Sequence, residues 1–275
     1  MRVAAVSAMG LTVLATVLAS APAAAQAREL RWDRTADPVV LGVGAAAWLT
    51  SELLKSSLVP STCRWCEVDA LDLDARTALV WPSTSAADVA SSVIAFGLAP
   101  ASAALTLGLA ANHDHAFAHD VVGDVVIVGE ATILAMDLDQ LTKFIVARER
   151  PFAYELGSGE RAHPASPDDD LSFFSGHTTA TFALAAAAGT VATMRAYRWA
   201  PLTWIAGGAL ATTTGYLRIA ADKHWLTDVM TGMVVGTAVG ILVPLVFHSP
   251  GTPRNMAAGT PLPPAPVAAS FAFGW

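Results

Sequence analysis

Charged residues are scarce in this sequence. Of its 275 residues only 14% are charged, whereas 54% are hydrophobic, so the chain lacks the polar groups that would cover an ordinary soluble surface. The apolar excess predicts that lipid covers the folded chain, with a membrane bilayer as its partner. Acidic residues outnumber basic ones, and the net charge of −7 argues against nucleic acid as a partner.

Cysteine is also scarce, and the chain contains only Cys63 and Cys66. A single Cys-x-x-Cys pair cannot supply the four protein ligands of a structural zinc site. A thioredoxin-like redox pair would need a βαβ pattern around it, and the sequence shows none. We therefore predict a small disulfide loop in an oxidising compartment.

The first 27 residues have the pattern of an export signal. Arg2 is followed by an apolar stretch at 9–18 and by small residues that end in Ala25-Gln26-Ala27. This pattern predicts cleavage after Ala27. The alternative is that 1–27 form an uncleaved anchor helix.

The rest of the chain divides into an N-terminal segment at 28–85, a helical core at 86–248 and a disordered tail at 249–275 that is rich in proline and alanine. A helix at 38–51 either crosses the membrane or lies at its surface. Apolar stretches with the length of a bilayer-crossing helix, or close to it, occur at 89–111, 121–146, 178–194, 199–217 and 229–247. The predicted fold is an all-α integral membrane bundle of five or six transmembrane helices.

Three features of these stretches lead to further structural predictions. Pro100 predicts a kink in its helix. Gly232, Gly236 and Gly240 repeat every four residues and predict that a neighbouring helix approaches closely. The stretch at 121–146 is predicted to form the wall of a site, because charges inside a span are costly and usually mark function; it contains Asp124, Glu130, Asp137, Asp139 and Lys143.

The first cluster of polar residues consists of Lys143 and Arg150. They stand seven residues apart, about two helical turns, so both are expected to project from one side of a helix end that Pro151 stops. Arginine presents a planar fork of donors that matches phosphate oxygens, and lysine adds a point charge.

The second cluster, Ser175-Gly176-His177, directly precedes the stretch at 178–194. Ser175 is placed to cap that helix. The N–H groups of Gly176 and His177 are expected to point outward at the positive end of the helix dipole, where anions bind.

The third cluster consists of Arg218, His224 and Asp228. The i, i+4 spacing predicts that Asp228 accepts a hydrogen bond from one ring nitrogen of His224, which makes the other nitrogen a better nucleophile. Because consecutive spans alternate in direction, the three clusters are expected on one membrane face, where they can hold a phosphate.

Together, Lys143-x6-Arg150-Pro151, Ser175-Gly176-His177 and Arg218-x5-His224-x3-Asp228 resemble the three-part signature of the type 2 phosphatidic acid phosphatase superfamily. The resemblance implies a fold shared with bacterial acid phosphatases and vanadium haloperoxidases. It implies hydrolysis of a phosphomonoester or pyrophosphate with no metal and no cofactor. Phe174 and Leu217 stand where the family often has proline and serine, and neither departure removes a proposed catalytic group.

The resemblance also implies a role for each residue. His224 would be the nucleophile, Asp228 its orienting partner and His177 the acid that protonates the leaving oxygen. The phosphoryl oxygens would be held by Lys143, Arg150, Arg218, Ser175 and Gly176.

The expected substrate is a phosphorylated lipid, with phosphatidic acid, phosphatidylglycerol phosphate, a polyprenyl pyrophosphate and a lipid A phosphate as candidates. The alternatives are a vanadium-dependent haloperoxidase, a soluble secreted acid phosphatase of the same fold, and a helical transport or scaffold protein whose motifs only anchor helix ends. The sequence leaves the oligomeric state open.

The side of the membrane depends on the number of spans. After a cleaved signal, six spans put the site in the cytoplasm and five put it outside. The cysteines lie on the catalytic side in either count, so we expect the periplasmic or external face of a bacterial-type cell membrane.

Other polar groups receive no catalytic role. The segments 112–115 and 119–120 are expected to form a solvated turn on the opposite face, and Asp168, Asp169 and Asp170 an exposed loop. His163 and His248 have no assignable role.

Overall fold

A computed structural model describes residues 28–60, 62–113, 117–154, 166 and 168–249 of the chain. The predicted signal at 1–27, His163 and nearly all of the predicted tail lie outside these residues. Within the described part, all regular secondary structure is helical, and the one β-contact is an isolated bridge between Trp65 and Arg148. The prediction of an all-α fold is confirmed.

Nine α-helices have both ends within the described residues and are numbered here in chain order. They are α1 (Ala36–Leu53), α2 (Lys55–Leu58), α3 (Ala70–Leu79), α4 (Thr84–Val93), α5 (Ala99–His113), α6 (Phe117–Val146), α7 (Gly176–Met194), α8 (Ala200–Ala220) and α9 (Leu226–Phe247). All the predicted apolar stretches are helical. The helices α2 and α3 were not predicted.

A π-helical turn, Ile94–Leu98, joins α4 to α5. The amide of Ala99 donates to the carbonyl of Ile94, five residues earlier. The turn lies directly before Pro100, which has no N–H to donate to the helical ladder. A kink was predicted at Pro100, and the structure has a π-turn directly before it.

Six long helical rods, with α4 and α5 counted as one, alternate in direction. The last turns of α1, α6 and α8 and the first turns of α4 and α7 meet around one cavity; this end of the bundle is called the site end. At the other end, called the far end, the Asp37 carboxylate at the start of α1 lies 3.8 Å from Nδ1 of His248, just after α9. Helix α1, which includes the segment 38–51, runs from the far end of the bundle to the site end.

Helix α7 is central, and its Ala-rich body is buried along most of its length. It packs closely against α9. A Cβ atom at Gly236 would lie 2.5 Å from the carbonyl oxygen of Thr179, and one at Gly240 would lie 2.5 Å from that of Ala183. Only glycine permits this approach, as the spacing predicted.

The outer surface of the bundle is apolar. Large side chains such as Val43, Leu105, Val234 and Phe247 are more than half exposed, at 61–66%. Two helical stretches of the described chain, Thr84–Asn112 and Leu226–Phe247, are long and apolar enough to cross a membrane. An exposed apolar surface of this extent indicates association with lipid.

Candidate active site

The cavity at the site end has a volume of about 540 Å³ and brings the predicted clusters together. Of the predicted residues, Lys143, Arg150, Gly176, His177, Arg218 and His224 line it. Ser175 and Asp228 do not line it, and both are completely buried behind it.

His224 lies in the loop between α8 and α9 and is 2% exposed. Its Nδ1 is 2.8 Å from the carbonyl oxygen of Ser172. A carbonyl only accepts, so Nδ1 carries the ring proton and Nε2 keeps its lone pair. Burial, and then the charges of Arg150 and Arg218, hold the pKa of His224 well below its usual range. His224 is therefore a neutral imidazole with an unprotonated Nε2.

Asp228 does not make the predicted hydrogen bond to His224. Its nearer oxygen lies 3.7 Å from Nδ1 of His224. The i, i+4 spacing brings side chains together only when both residues are helical, whereas α9 begins at Leu226 after an extended Trp225. Asp228 instead accepts from the Ser172 hydroxyl at 2.5 Å and from the backbone N–H of Trp225 at 3.0 Å. Asp228 is connected to His224 through Ser172, whose carbonyl accepts the hydrogen bond from Nδ1.

Arg148, which the sequence reasoning missed, is the cation that pairs with Asp228. It is 1% exposed, and its two terminal nitrogens donate to Asp228 at 2.5 Å and to Asp72 of α3 at 2.6 Å. Asp72 also accepts from the backbone N–H and the hydroxyl of Thr227, at 2.9 and 2.6 Å. The unpredicted α3 therefore fixes the start of α9.

Lys143 and Arg150 reach the cavity from different elements. Helix α6 ends at Val146, and Ala147 follows with a φ of 48°, in the left-handed region. The prediction that Pro151 ends the helix is wrong. Arg150 lies in the following loop, where its Nε donates to the carbonyl of Asp168 at 2.7 Å. Lys143 is helical and pairs with Asp139 at 2.7 Å.

Arg218 lies near the end of α8 and is 4% exposed. One terminal nitrogen donates to Asp88 and, at 3.0 Å, to the hydroxyl of Ser91. Its Nε is buried and has no hydrogen-bond partner among the described residues. A buried guanidinium with spare donors beside a cavity is suited to an anion.

Ser175 and Gly176 begin α7. Ser175 stands at the N-cap position, but its hydroxyl is 2.9 Å from that of Thr178 and does not cap the helix as predicted. A Cβ atom at Gly176 would lie 2.8 Å from both the Asp139 carboxylate and the Lys143 ammonium. Glycine thus lets the first turn of α7, with N–H groups that no earlier turn satisfies, approach the cavity.

His177 lies one residue before the predicted span at 178–194. Its Nε2 is 3.2 Å from the hydroxyl of Ser92, and its ring contacts that of Phe96 edge-on at 4.9 Å between centroids. Burial, and then the charges of Arg218 and Lys143, lower the pKa of His177 to about 2. The ring is therefore neutral, and a bound dianion would raise its pKa.

The remaining polar groups differ partly from expectation. The predicted exposure of the Asp168 to Asp170 loop is right for Asp168, whose side chain is 51% exposed, and wrong for Asp170, which is 8% exposed. Asp168 and Asp169 line the cavity. Lys55 after α1 reaches Asp168 at 3.0 Å. The side chains at 113–120 lie outside the description.

His248, which had no predicted role, binds the far end of the bundle together. Its Nε2 is 3.0 Å from the carboxylate of Glu130, and its Nδ1 is 2.9 Å from the carbonyl of Arg31. Both ring nitrogens are engaged. The expected site wall on α6 is therefore confined to its last turns, because Glu130 pairs with His248 and Asp124 pairs with Arg195 at 2.8 Å.

Buried cations and two neutral histidines around one cavity of a helical bundle are typical of an enzyme that acts on an oxyanion. Residues 124–250 match the family model described as the PAP2 superfamily, and this range includes all three clusters. The match covers less than half of the 275 residues, so the chain is similar to the PAP2 superfamily over the region that holds the site, which supports an enzyme of the lipid phosphatase type.

No curated protein matches the chain. Among solved structures, the chain is similar to a transmembrane PAP2-type phosphatidylglycerolphosphate phosphatase from Bacillus subtilis. The two are 18% identical over 73% of this chain and 93% of that chain, with a TM-score of 0.43.

Proposed function

We propose that this enzyme hydrolyses a phosphomonoester or pyrophosphate on a membrane lipid, without a metal ion, through a phosphohistidine on His224. The observation that carries the proposal is the convergence of three cationic side chains and two neutral histidines on one buried cavity. Phosphoryl transfer depends mainly on positioning and on neutralising the phosphoryl oxygens. In this proposal Lys143, Arg150 and Arg218 neutralise them.

The first step forms the phosphoenzyme. Nε2 of His224 attacks phosphorus while the bond from phosphorus to the lipid oxygen breaks, and the electron pair of that bond stays on the oxygen. His177, which takes up a proton when the dianion binds, gives this proton to the leaving oxygen. The proton of His224 stays on Nδ1 and is donated to the Ser172 carbonyl, which stabilises the positive charge that develops on the ring.

The second step releases phosphate. Water attacks the phosphorus of the phosphohistidine, the P–N bond breaks and its electron pair returns to Nε2 of His224. His177, now neutral, accepts the proton of the attacking water. The N–H of Gly176 and the hydroxyl of Ser175, after rotation away from Thr178, are proposed to hold phosphoryl oxygens in both steps.

A lipid substrate fits the apolar part of the cavity. Trp48 of α1, Phe96 of the π-turn and Met136 of α6 line it beside the charged groups. The outer faces of the same helices carry exposed apolar residues. A phosphate head group can therefore reach the cations while its hydrocarbon tail stays beside apolar side chains.

A substrate panel tests the proposal. The purified protein is incubated with the four candidate lipid phosphates and with p-nitrophenyl phosphate, each with and without a chelator, and released phosphate is measured. We expect release from at least one lipid at a rate that the chelator leaves unchanged. Activity that disappears with chelator and returns with a divalent metal would refute metal independence, and halogenation with added vanadate but no phosphate release would identify a haloperoxidase.

We further propose that the chain spans the membrane several times with its cavity on the periplasmic or external face. The support is the disulfide between Cys63 and Cys66 at the site end, because disulfides persist in oxidising compartments. With α1 crossing as a sixth span, an external cavity places the start of α1 on the cytoplasmic side. This arrangement is incompatible with a cleaved export signal directly before α1.

Thiol labelling in intact cells tests the side. Cys63 and Cys66 should react with a membrane-impermeant reagent only after reduction, without lysis. The matched probe is Ser249→Cys at the exposed far end, in a variant that lacks the two native cysteines, and it should react only after lysis. If the native cysteines are instead free thiols that react only after lysis, the cavity faces the cytoplasm.

A further inference from the structure

We propose that Arg148 is a positioning residue for the reaction and that the disulfide loop of Cys63 to Cys66 holds it in place. This inference rests on the proposed function, since it assigns to Arg148 the alignment of His224. Arg148 does not line the cavity, so it acts on the substrate only through other residues. Its position outside the three clusters explains why spacing arguments missed it.

The first link runs from Arg148 to Asp228. The guanidinium is buried between two carboxylates, Asp72 and Asp228, at 2.6 and 2.5 Å. Removal of this cation would leave two buried carboxylates facing each other without a positive charge, an arrangement that proteins avoid. Asp228 would then turn or take up a proton, and its acceptor geometry would change.

The second link runs from Asp228 to His224 through Ser172. Asp228 accepts from the Ser172 hydroxyl at 2.5 Å, and the Ser172 carbonyl faces Nδ1 of His224 at 2.8 Å. The backbone of Arg148 takes part as well, because its carbonyl accepts from the N–H of Ser172 at 2.9 Å. Arg148 therefore fixes Ser172 from two sides, and Ser172 fixes the imidazole.

The third link joins Arg148 to the disulfide loop. The ring of Trp65 lies over the guanidinium with its centroid 4.0 Å away, a cation–π distance. The backbone N–H of Arg64 donates to Ala147 at 2.9 Å, and the N–H of Glu149 donates to Trp65 at 3.2 Å. The disulfide closes the loop that presents Trp65. An intact loop thus holds one face of Arg148 while the carboxylates hold its donors.

This geometry predicts a specific kinetic signature. The cations of the cavity keep their own partners when Arg148 changes, so substrate affinity should stay the same. Only the position and direction of Nε2 of His224 relative to phosphorus should change. A misplacement of about 1 Å can lower the rate on the order of 10²-fold. The loss should therefore fall on kcat and leave KM nearly constant.

The experiment compares two buried arginines. Arg148→Lys keeps the charge but not the two-pronged geometry, and kcat should fall at least about tenfold with KM within about threefold. The matched control is Arg195→Lys at the far end, since Arg195 is also 1% exposed and is bonded to a buried carboxylate. The control should lower the melting temperature similarly and keep kcat. Equal kcat in the two variants, or a rise in KM alone, would overturn the inference.

The disulfide loop has its own variants. Trp65→Ala, and the double replacement of Cys63 and Cys66 by serine, should lower kcat in the same direction, whereas Trp65→Phe keeps a ring over the guanidinium and should restore most of it. Reductant should lower kcat of the wild type and leave the serine variant unchanged. A wild type that keeps its kcat when fully reduced would remove the loop from the proposal.

A spectroscopic readout separates this inference from the proposed function. In protein labelled with ¹⁵N-histidine, the His224 signals are assigned by their loss in His224→Asn. They should show the Nδ1-protonated tautomer in the wild type and a changed pattern in Arg148→Lys. An unchanged His224 pattern in Arg148→Lys would refute the positioning role even if no lipid were hydrolysed, while absent hydrolysis by the wild type would refute the proposed function alone.

Discussion

Replacement of His224 by asparagine is expected to abolish phosphate release, with a fall in kcat of at least about 10⁴-fold, as when the nucleophile of a hydrolase is removed. The amide nitrogen of asparagine can take the place of Nδ1 and donate to the Ser172 carbonyl, which His224 now contacts at 2.8 Å. The variant therefore keeps the buried hydrogen bond and loses only the nucleophilic Nε2. Released phosphate from the best lipid of the panel gives the measurement.

Binding provides the control for this variant. Lys143, Arg150 and Arg218 remain, so inorganic phosphate should still raise the melting temperature of His224→Asn as it does in the wild type. Quenching the wild type during turnover of a ³²P-labelled substrate should trap an acid-labile phosphoenzyme, and the variant should trap none. A phosphoenzyme that persists in the variant, or release within tenfold of the wild type, would exclude His224 as the nucleophile.

The fold could be predicted largely from hydrophobic length. The apolar stretches at 89–111, 121–146, 178–194, 199–217 and 229–247 all correspond to helices, because a span needs a run of apolar residues that any window detects. The end of α6 could not be predicted, since Ala147 adopts a left-handed φ of 48° without glycine or asparagine to signal it. Helix α3 was missed because it is short and polar, and its buried Asp72 is bonded to Arg148 and Thr227, which are distant in the sequence.

The candidate site, like the fold, could be predicted from the sequence only in part. Residues that face the cavity were found from motif spacing, because Lys143, Arg150, His177, Arg218 and His224 meet where helix ends converge. The buried layer behind them was not found. Arg148 lies 80 residues from Asp228 in the sequence, and a hydrogen bond of that separation has no local pattern. The His224 partner was predicted wrongly because helical spacing was applied across a helix start.

The second large effect is expected for His177→Asn, and its size should depend on the leaving group. A lipid alkoxide needs a proton as it departs, so loss of the acid should lower kcat for the lipid by about 10²–10⁴-fold. The p-nitrophenolate ion leaves without a proton at neutral pH, so the first-turnover burst of p-nitrophenol from the same variant should fall far less than the first-turnover release from the lipid. Steady-state turnover of both substrates should fall, because the second step loses its base. His224→Asn should lose both activities, because every substrate needs the nucleophile.

The pH dependence gives the same assignment independently. Burial lowers the pKa of His177 to about 2 and also holds the pKa of His224 well below its usual range, so the free enzyme holds both histidines neutral at neutral pH. A bound dianion raises the pKa of His177, and kcat for the lipid should fall as pH rises through that higher value and removes the acid. The alkaline limb should be absent for p-nitrophenyl phosphate and for His177→Asn. An alkaline limb of equal size for both substrates would show that the limb does not report protonation of the leaving oxygen. A limb that persists for the lipid in His177→Asn would show that a different group donates the proton, with Lys143, which also lines the cavity, as a candidate.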